Sequence, residues 1–290
     1  MDDYLIVTDS ASDITPKEAA AWGGALEVLP LSITIGDEVF QDGVTLTHRQ
    51  FYEKLVESDE LPKTSMIPPL PFREVFGRAV AAGRKVLAIT LSGKLSGTCE
   101  SAMQAAADFP GEVFVVDSLN ATMGERIQVE YARELLEGGM AVEEAAFVLE
   151  RSRSAVRTLG LLDTLEYLKK GGRIAPATAL MGDLLSIKPV ITVQDGEVAI
   201  LGKARGSKNG SNFLVKSIGE CGGVDFSRPF RLGYTGLSDA TLQKYVRDSA
   251  ALWEGHVDEL PASIVGATIG THVGPGAIAV SFYANGAAGA

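Results

Sequence analysis

The chain is poor in the residues that build metal sites and disulfide frameworks. It holds two cysteines, Cys99 and Cys221, and three histidines, His48, His256 and His272. Two cysteines give no disulfide scaffold and suit a reducing compartment. There is no H-E-x-x-H and no Cys/His cluster, so no metal site is expected. Positive charge is also scarce: 26 Lys and Arg stand against 37 Asp and Glu, a net charge of −11. Nucleic acid and anionic membranes call for basic surface, so neither is expected as the main partner. No apolar run reaches the roughly 18–20 residues of a membrane span. Met1-Asp2-Asp3 carries no basic n-region, so no secretory signal is expected, and the reading is a soluble cytoplasmic protein.

What remains is ordinary globular material, 46% hydrophobic and 22% charged over 290 residues, enough for two domains. Its centre is Lys85 to Asp108. Lys85–Leu91 reads as a buried strand, and Cys99–Asp108 as an Ala-rich helix. Between them, Ser92-Gly93-Lys94-Leu95-Ser96-Gly97-Thr98 sets hydroxyls and free backbone N–H groups at a helix N-terminus. Such a turn binds anions, because the first N–H groups lack partners and the helix dipole is positive there. The same residues also serve as a simple helix cap. A P-loop spacing is absent, and Gly93 to Gly97 reads G-x-x-S-G, not the G-x-S-x-G of a hydrolase elbow.

Strand–helix alternation governs the first half. Tyr4–Thr8 is a strand ending in Asp9-Ser10-Ala11-Ser12-Asp13, and Thr15-Pro16 opens a helix through Trp22. Glu27–Ile35 reads as one strand bent at Pro30, with Val39-Phe40 pairing back. Thr47–Ser58 and Phe72–Ala82 are helices, separated by an irregular segment, Leu61 to Pro71, that reads as a rigid wall. Glu112–Asp117 is a strand closing on Asp117-Ser118, an echo of Asp9-Ser10. These polar strand ends either brace their turns or shape a site at the sheet edge. Met123–Glu137 and Val142–Thr158 are helices. The expected fold is α/β with a parallel sheet over residues 1–157.

From 158 to 290 the pattern changes to α+β with an antiparallel sheet. Leu165 to Arg173 is a helix stopped by glycine, and Arg173 is either its C-terminal charge or a site cation. Ile187–Gln194, Asp195-Gly196 and Glu197–Lys203 make a hairpin. Ser207–Cys221 and Asp239–Trp253 are helices; Phe230–Tyr234 and His256–Leu260 are strands. Gly270 to Ala277 reads as a glycine-rich turn carrying His272, followed by a strand through Tyr283 and a fraying tail, Asn285–Ala290. His48 and His256 read as surface residues, and Arg205 as part of an exposed basic turn.

In order along the chain, Thr8-Asp9-Ser10 with Asp13, Lys63-Thr64-Ser65, Leu95-Ser96-Gly97-Thr98, Val116-Asp117-Ser118, Leu165 to Arg173 and Gly270 to Gly276 resemble the DegV family. This family is also known as fatty-acid-binding protein B of the bacterial fatty acid kinase system. The resemblance covers nearly the whole chain and implies a two-domain fold with one long-chain fatty acid buried between the domains, and no cofactor. It implies that Thr64 and Ser96 contact the carboxylate, with Ser65, Gly97 and Thr98 shaping the pocket. Arg173 and His272 would stand behind them, supported by Asp9, Ser10, Asp117 and Ser118. Arg205 would face a fatty acid kinase catalytic protein that turns the carboxylate into an acyl-phosphate for phospholipid synthesis. The carrier itself would do no bond chemistry. The competing readings are a serine acyl hydrolase built on Ser96 and His272 with Asp9 or Asp117, and a regulatory module that binds protein.

Overall fold

A computed structural model describes residues 3–58, 60–174 and 187–286. In chain order, the first half contains β1 (Tyr4–Asp9), α1 (Pro16–Ala20), β2 (Leu26–Leu29), β3 (Ser32–Ile35), β4 (Glu38–Gln41), α2 (His48–Glu57) and β5 (Lys63–Ser65). It continues with α3 (Pro69–Ala81), β6 (Lys85–Thr90), α4 (Thr98–Ala106), β7 (Val113–Asp117), α5 (Met123–Glu137) and α6 (Val142–Ser152). The second half contains β8 (Val156–Leu161), α7 (Glu166–Lys170), β9 (Ile187–Gln194), β10 (Glu197–Arg205), α8 (Gly206–Glu220) and β11 (Arg231–Tyr234). It closes with α9 (Ala240–Asp248), β12 (Ala262–Ile264), α10 (Ala267–Val273) and β13 (Ile278–Tyr283).

Strands β2-β1-β6-β7 form a parallel sheet with helices on both faces. Side chains alternate across it: Leu5 and Val7 join Phe72, Phe76 and Ala102 on one face. On the other, Ile6, Leu87 and Ile89 pack on Val129, Ala132 and Leu149. This explains why β1 and β6 read as continuous apolar runs. The second sheet, β10-β9-β8-β13-β11-β12, is antiparallel except for the β11–β12 pair. Leu159, Leu161, Leu232, Val280 and Phe282 pack beneath α8 and α9 in its core. Helix α5 touches both sheets and is buried from Met123 through Val129, including Glu125, Arg126 and Gln128.

Several expectations are corrected. Glu27–Ile35 is two strands in different sheets: β2 pairs with β1, whereas β3 joins β4 and β5 in a small antiparallel sheet. The helix expected through Thr158 ends at Ser152, and a single 3-10 turn leads into β8. Here sheet pairing overrides helical pattern: β8 is flanked by β9 and β13. A Cβ at Gly160 would stand 3.1 Å from Ile191 Cγ1 across that pair. Residue positions 157 and 158 both lie within β8. His256–Leu260 is not a strand; the edge strand is β12, a few residues later. The segment from Pro69 joins α3, because proline is tolerated in a first helical turn. His48 is buried, 7% exposed, against Asp42. The expected frayed tail falls largely on positions 287–290, outside the described residues.

The glycine-rich segment before β13 is also corrected. Gly270 to Val273 forms the second half of α10. Its N-terminus is held from the other half of the chain: both Asp42 carboxylate oxygens accept, from Ala267 N at 3.1 Å and from Thr268 N at 2.9 Å and its hydroxyl at 2.6 Å. A buried carboxylate on the first N–H groups is a favourable partner for the helix dipole. Helix α10 carries His272 in its last turn.

Candidate ligand-binding site

A cavity of about 280 Å³ runs from the Ser92–Thr98 turn into the space between the two larger sheets. Leu31, Leu91 and Leu95 line it from the first half; Leu162, Leu168, Ile191, Ile278 and Ala279 line it from the second. On β8 the alternation is visible: Thr158 and Gly160 face the cavity, while Leu159 and Leu161 belong to the core on the opposite face. Five threonines besides Thr64 also line it, yet each of these hydroxyls is engaged by protein. Thr122 donates to Asp13 at 2.6 Å, Thr158 to Asn120 at 2.7 Å and Thr268 to Asp42 at 2.6 Å. Thr192 donates to Val193 O at 3.3 Å, and Thr235 accepts from Ala277 N at 2.7 Å. The body of the cavity is therefore apolar in chemistry, although its sequence positions are mixed.

One end differs. Thr64, Ser96, Gly97, Arg173 and His272 meet there, brought from β5, the turn before α4, the loop after α7 and α10. Thr98 Oγ1 accepts from Ile67 N at 3.3 Å and lies 3.0 Å from Ser96 Oγ. Ser96 Oγ also accepts from Thr98 N at 3.3 Å. Either hydroxyl of this pair can donate to the other; when Thr98 donates, the Ser96 proton is available to a ligand. Thr64 Oγ1 lies 2.9 Å from His272 Nε2. His272 Nδ1 is buried without a partner, against Gly171, where a Cβ would stand 2.2 Å from that nitrogen. Placing the imidazole proton on Nε2 avoids an unsatisfied buried N–H, makes His272 the donor to Thr64 and frees the Thr64 proton. Burial and the nearby Arg173 push the His272 pKa down to about 4, so it is neutral at pH 7.

Arg173 supplies the charge. Its Nη1 donates to Gly171 O at 2.6 Å and its Nε to Leu95 O at 3.3 Å, which fixes the guanidinium across the two halves. No carboxylate among the described residues lies in ion-pair range of it. The end of the cavity thus gathers two hydroxyls and a cation with no carboxylate partner among the described residues, a set complementary to a carboxylate.

The other residues singled out from the sequence lie around this end rather than on it. Asp9, fully buried, accepts from Ala11 N at 3.0 Å and Leu91 N at 2.9 Å, tying the end of β6 to β1. Burial raises its pKa to about 7. Asp117 accepts from Gly93 N at 3.2 Å and Leu119 N at 2.8 Å, and Ser118 from Asn120 N at 3.1 Å. Ser10 accepts from Leu31 N at 3.0 Å. Asp9 and Asp117 thus hold the segment that leads to Ser96 and Gly97, while Ser10 anchors Leu31 and Ser118 braces its own turn. Ser65 is exposed and pairs with Ser32 across β3–β5. Arg205 is exposed at the end of β10. From the second half, Gly196 in the β9–β10 turn seats its carbonyl 2.7 Å from Ser92 Oγ, at a φ of +85°. A side chain there would collide with Ser92.

Ser96 and His272 do not form a nucleophile–base pair: each bonds a threonine instead. Asp9 and Asp117 are both committed to backbone N–H groups. Among the described residues no group of His, Cys, Asp and Glu could hold a metal ion, and no helix is long and apolar enough to cross a membrane. Met66 and Asp42 matter to the site, and the sequence did not single them out. Met66 sat in the proline-rich wall; Asp42 sat in a turn whose partner is more than two hundred residues away.

Fold and site together define an α/β protein with an internal apolar cavity between its two larger sheets, and with hydroxyls and an arginine at one end of it. The chain belongs to the DegV family. The family model described as "Uncharacterised protein, DegV family" matches residues 4–285. A DegV domain-containing protein of Deinococcus radiodurans is 35% identical over 280 residues, 95% of this chain and 96% of that protein. Another, from Caldanaerobacter subterraneus, is 31% identical over 97% of this chain and 99% of its own length. Among solved structures, a fatty acid binding DegV family protein from Thermus thermophilus matches at 34% identity and a TM-score of 0.86, covering 97% of this chain and 99% of that one. DegV of Bacillus subtilis, described as a fatty acid binding protein, matches at 27% identity and a TM-score of 0.80, covering 96% and 98%.

Proposed function

We propose that this protein is a carrier that buries a long-chain fatty acid between two lobes, residues 1–157 and 158–290, and holds its carboxylate at Thr64, Ser96 and Arg173. The observation that carries this reading is the polarity of the cavity: an apolar body with two hydroxyls, Thr64 and Ser96, and the Arg173 guanidinium, which has no carboxylate partner among the described residues, gathered at one end. An acyl chain gains about 0.8 kcal/mol for each CH₂ taken out of water, so the tail supplies much of the affinity. A carboxylate cannot enter such a space without donors, and the head end provides them. Gly97 and Thr98 shape the turn, and His272 orients Thr64. Fatty acid binding by the Thermus and Bacillus relatives supports the same reading.

In this account the protein is a cytoplasmic, non-catalytic subunit. A partner fatty acid kinase phosphorylates the presented carboxylate to an acyl-phosphate for phospholipid synthesis, and Arg205 lies on the face offered to that kinase. The test is direct: protein purified from a bacterial host is extracted and its lipid measured by mass spectrometry. About one equivalent of long-chain fatty acid is expected. Protein that carries none, and takes up none when offered it, contradicts the reading.

A further inference from the structure

We propose, building on the fatty-acid reading, that the Met66 side chain is the gate through which the acyl ligand enters and leaves. Of the described residues that line the cavity, Met66 is the only exposed one, at 50%. Every other lining side chain is buried or half-buried. Met66 therefore stands where the interior meets solvent, and it does so at the head end, between Thr64 and the Ser96–Thr98 turn.

The backbone on either side of Met66 is pinned. Thr64 pairs with Ile33 in the small sheet and its hydroxyl meets His272. Ile67 is 3% exposed, and its N–H donates to Thr98 Oγ1. Between these two anchors the exposed Met66 side chain has no such tie. Its sulfur packs over Gly97, where a Cβ would stand 2.4 Å from Sδ. The absence of a side chain at Gly97 is what gives the thioether its seat. Methionine is unbranched with three rotatable bonds, so it leaves such a seat by rotation alone, at small cost. An opening made this way exposes the head end without parting the two sheets or disturbing the hydroxyls that grip the carboxylate.

A gate and a wall contact differ kinetically. Removing a gate lowers the barrier in both directions and leaves the equilibrium nearly unchanged; removing a binding contact raises the release rate and weakens affinity in step. The experiment measures uptake and release of a fluorescent polyene fatty acid by stopped flow, with the dissociation constant determined separately. For Met66→Ala both rates are expected to rise roughly tenfold, with the dissociation constant moving by less than about threefold. Met66→Leu, similar in size, is expected to restore slow exchange in large part. Gly97→Ala evicts the sulfur from its seat, so its effect on exchange and that of Met66→Ala are expected to be non-additive. Faster release matched by an equal loss of affinity would overturn the gate, and so would exchange rates identical to the wild type. A wild-type protein that binds no fatty acid would instead overturn the fatty-acid reading on which the gate rests.

Discussion

Thr64 Oγ1 and His272 Nε2 lie 2.9 Å apart, although 208 positions separate them in the chain. The contact joins β5 of the small sheet to the last turn of α10, and it decides where the Thr64 proton points. A neutral His272 that donates from Nε2 leaves Thr64 as a donor toward the cavity.

This contact has a pH signature. The folded pKa of His272 is about 4, below its ordinary value of 6.5. As pH falls, the unfolded chain takes up the proton first. Stability through this group is therefore lost between about pH 6.5 and 4, and changes no further below that. The loss is at most about 3 kcal/mol. Equilibrium unfolding of the wild type and of His272→Gln should show the gap between them shift by that amount over this window. Parallel stability curves would contradict a buried neutral imidazole.

The two hydroxyls should contribute separately to affinity. Ser96→Ala and Thr64→Val each remove one donor to a charged ligand, worth about 1.5–3 kcal/mol. Calorimetric titration with palmitate is expected to show roughly ten- to a hundredfold weaker binding for each variant. Each variant should also melt somewhat lower, because Thr64→Val leaves the His272 Nε2–H, and Ser96→Ala the Thr98 N–H, without its acceptor, at a cost of about 1–3 kcal/mol.

Arg173 should set the preference for an acid over its ester. The wild type is expected to bind palmitate far more tightly than methyl palmitate, whose head carries no charge. In Arg173→Met, competition binding should give nearly equal affinities for the two, because the cation is gone while the apolar cavity remains. A variant that keeps the wild-type preference would place the carboxylate elsewhere.

Asp42 should matter to folding more than to ligand contact. It is 2% exposed and satisfies two N–H groups and one hydroxyl at the start of α10. Asp42→Ala leaves those donors buried and unpaired, at a cost of about 2–4 kcal/mol. Denaturant titration measures the loss. Because α10 carries His272, fatty acid affinity should fall with it.

The parallel sheet was legible because both its faces are covered. That makes β1 and β6 unbroken apolar runs, and the helices between them carry ordinary signals such as the Thr15-Pro16 start and the Thr47 cap. The hydroxylated turn before α4 could be found from its strand–turn–helix setting, whereas Thr64, Arg173 and His272 were singled out together only through the resemblance to the DegV family. What could not be read depends on distant partners. Val156–Leu161 becomes a strand because β9 and β13 flank it, and Ala267–Val273 becomes a helix because Asp42 caps it from the first half. The role of Met66 was hidden for the same reason: its seat is Gly97, thirty-one positions later and adjacent only in space.

The most direct test of the account is the ¹³C resonance of carboxyl-labelled palmitate bound to the protein, followed as a function of pH. The account predicts a single bound carboxylate that stays ionised below the pH at which the free acid titrates, because Arg173 and two hydroxyls favour the anion. Its resonance should shift in Ser96→Ala and in Thr64→Val. A bound carboxyl that titrates as in water, and whose resonance ignores both substitutions, would contradict the placement of the acid head at this end of the cavity.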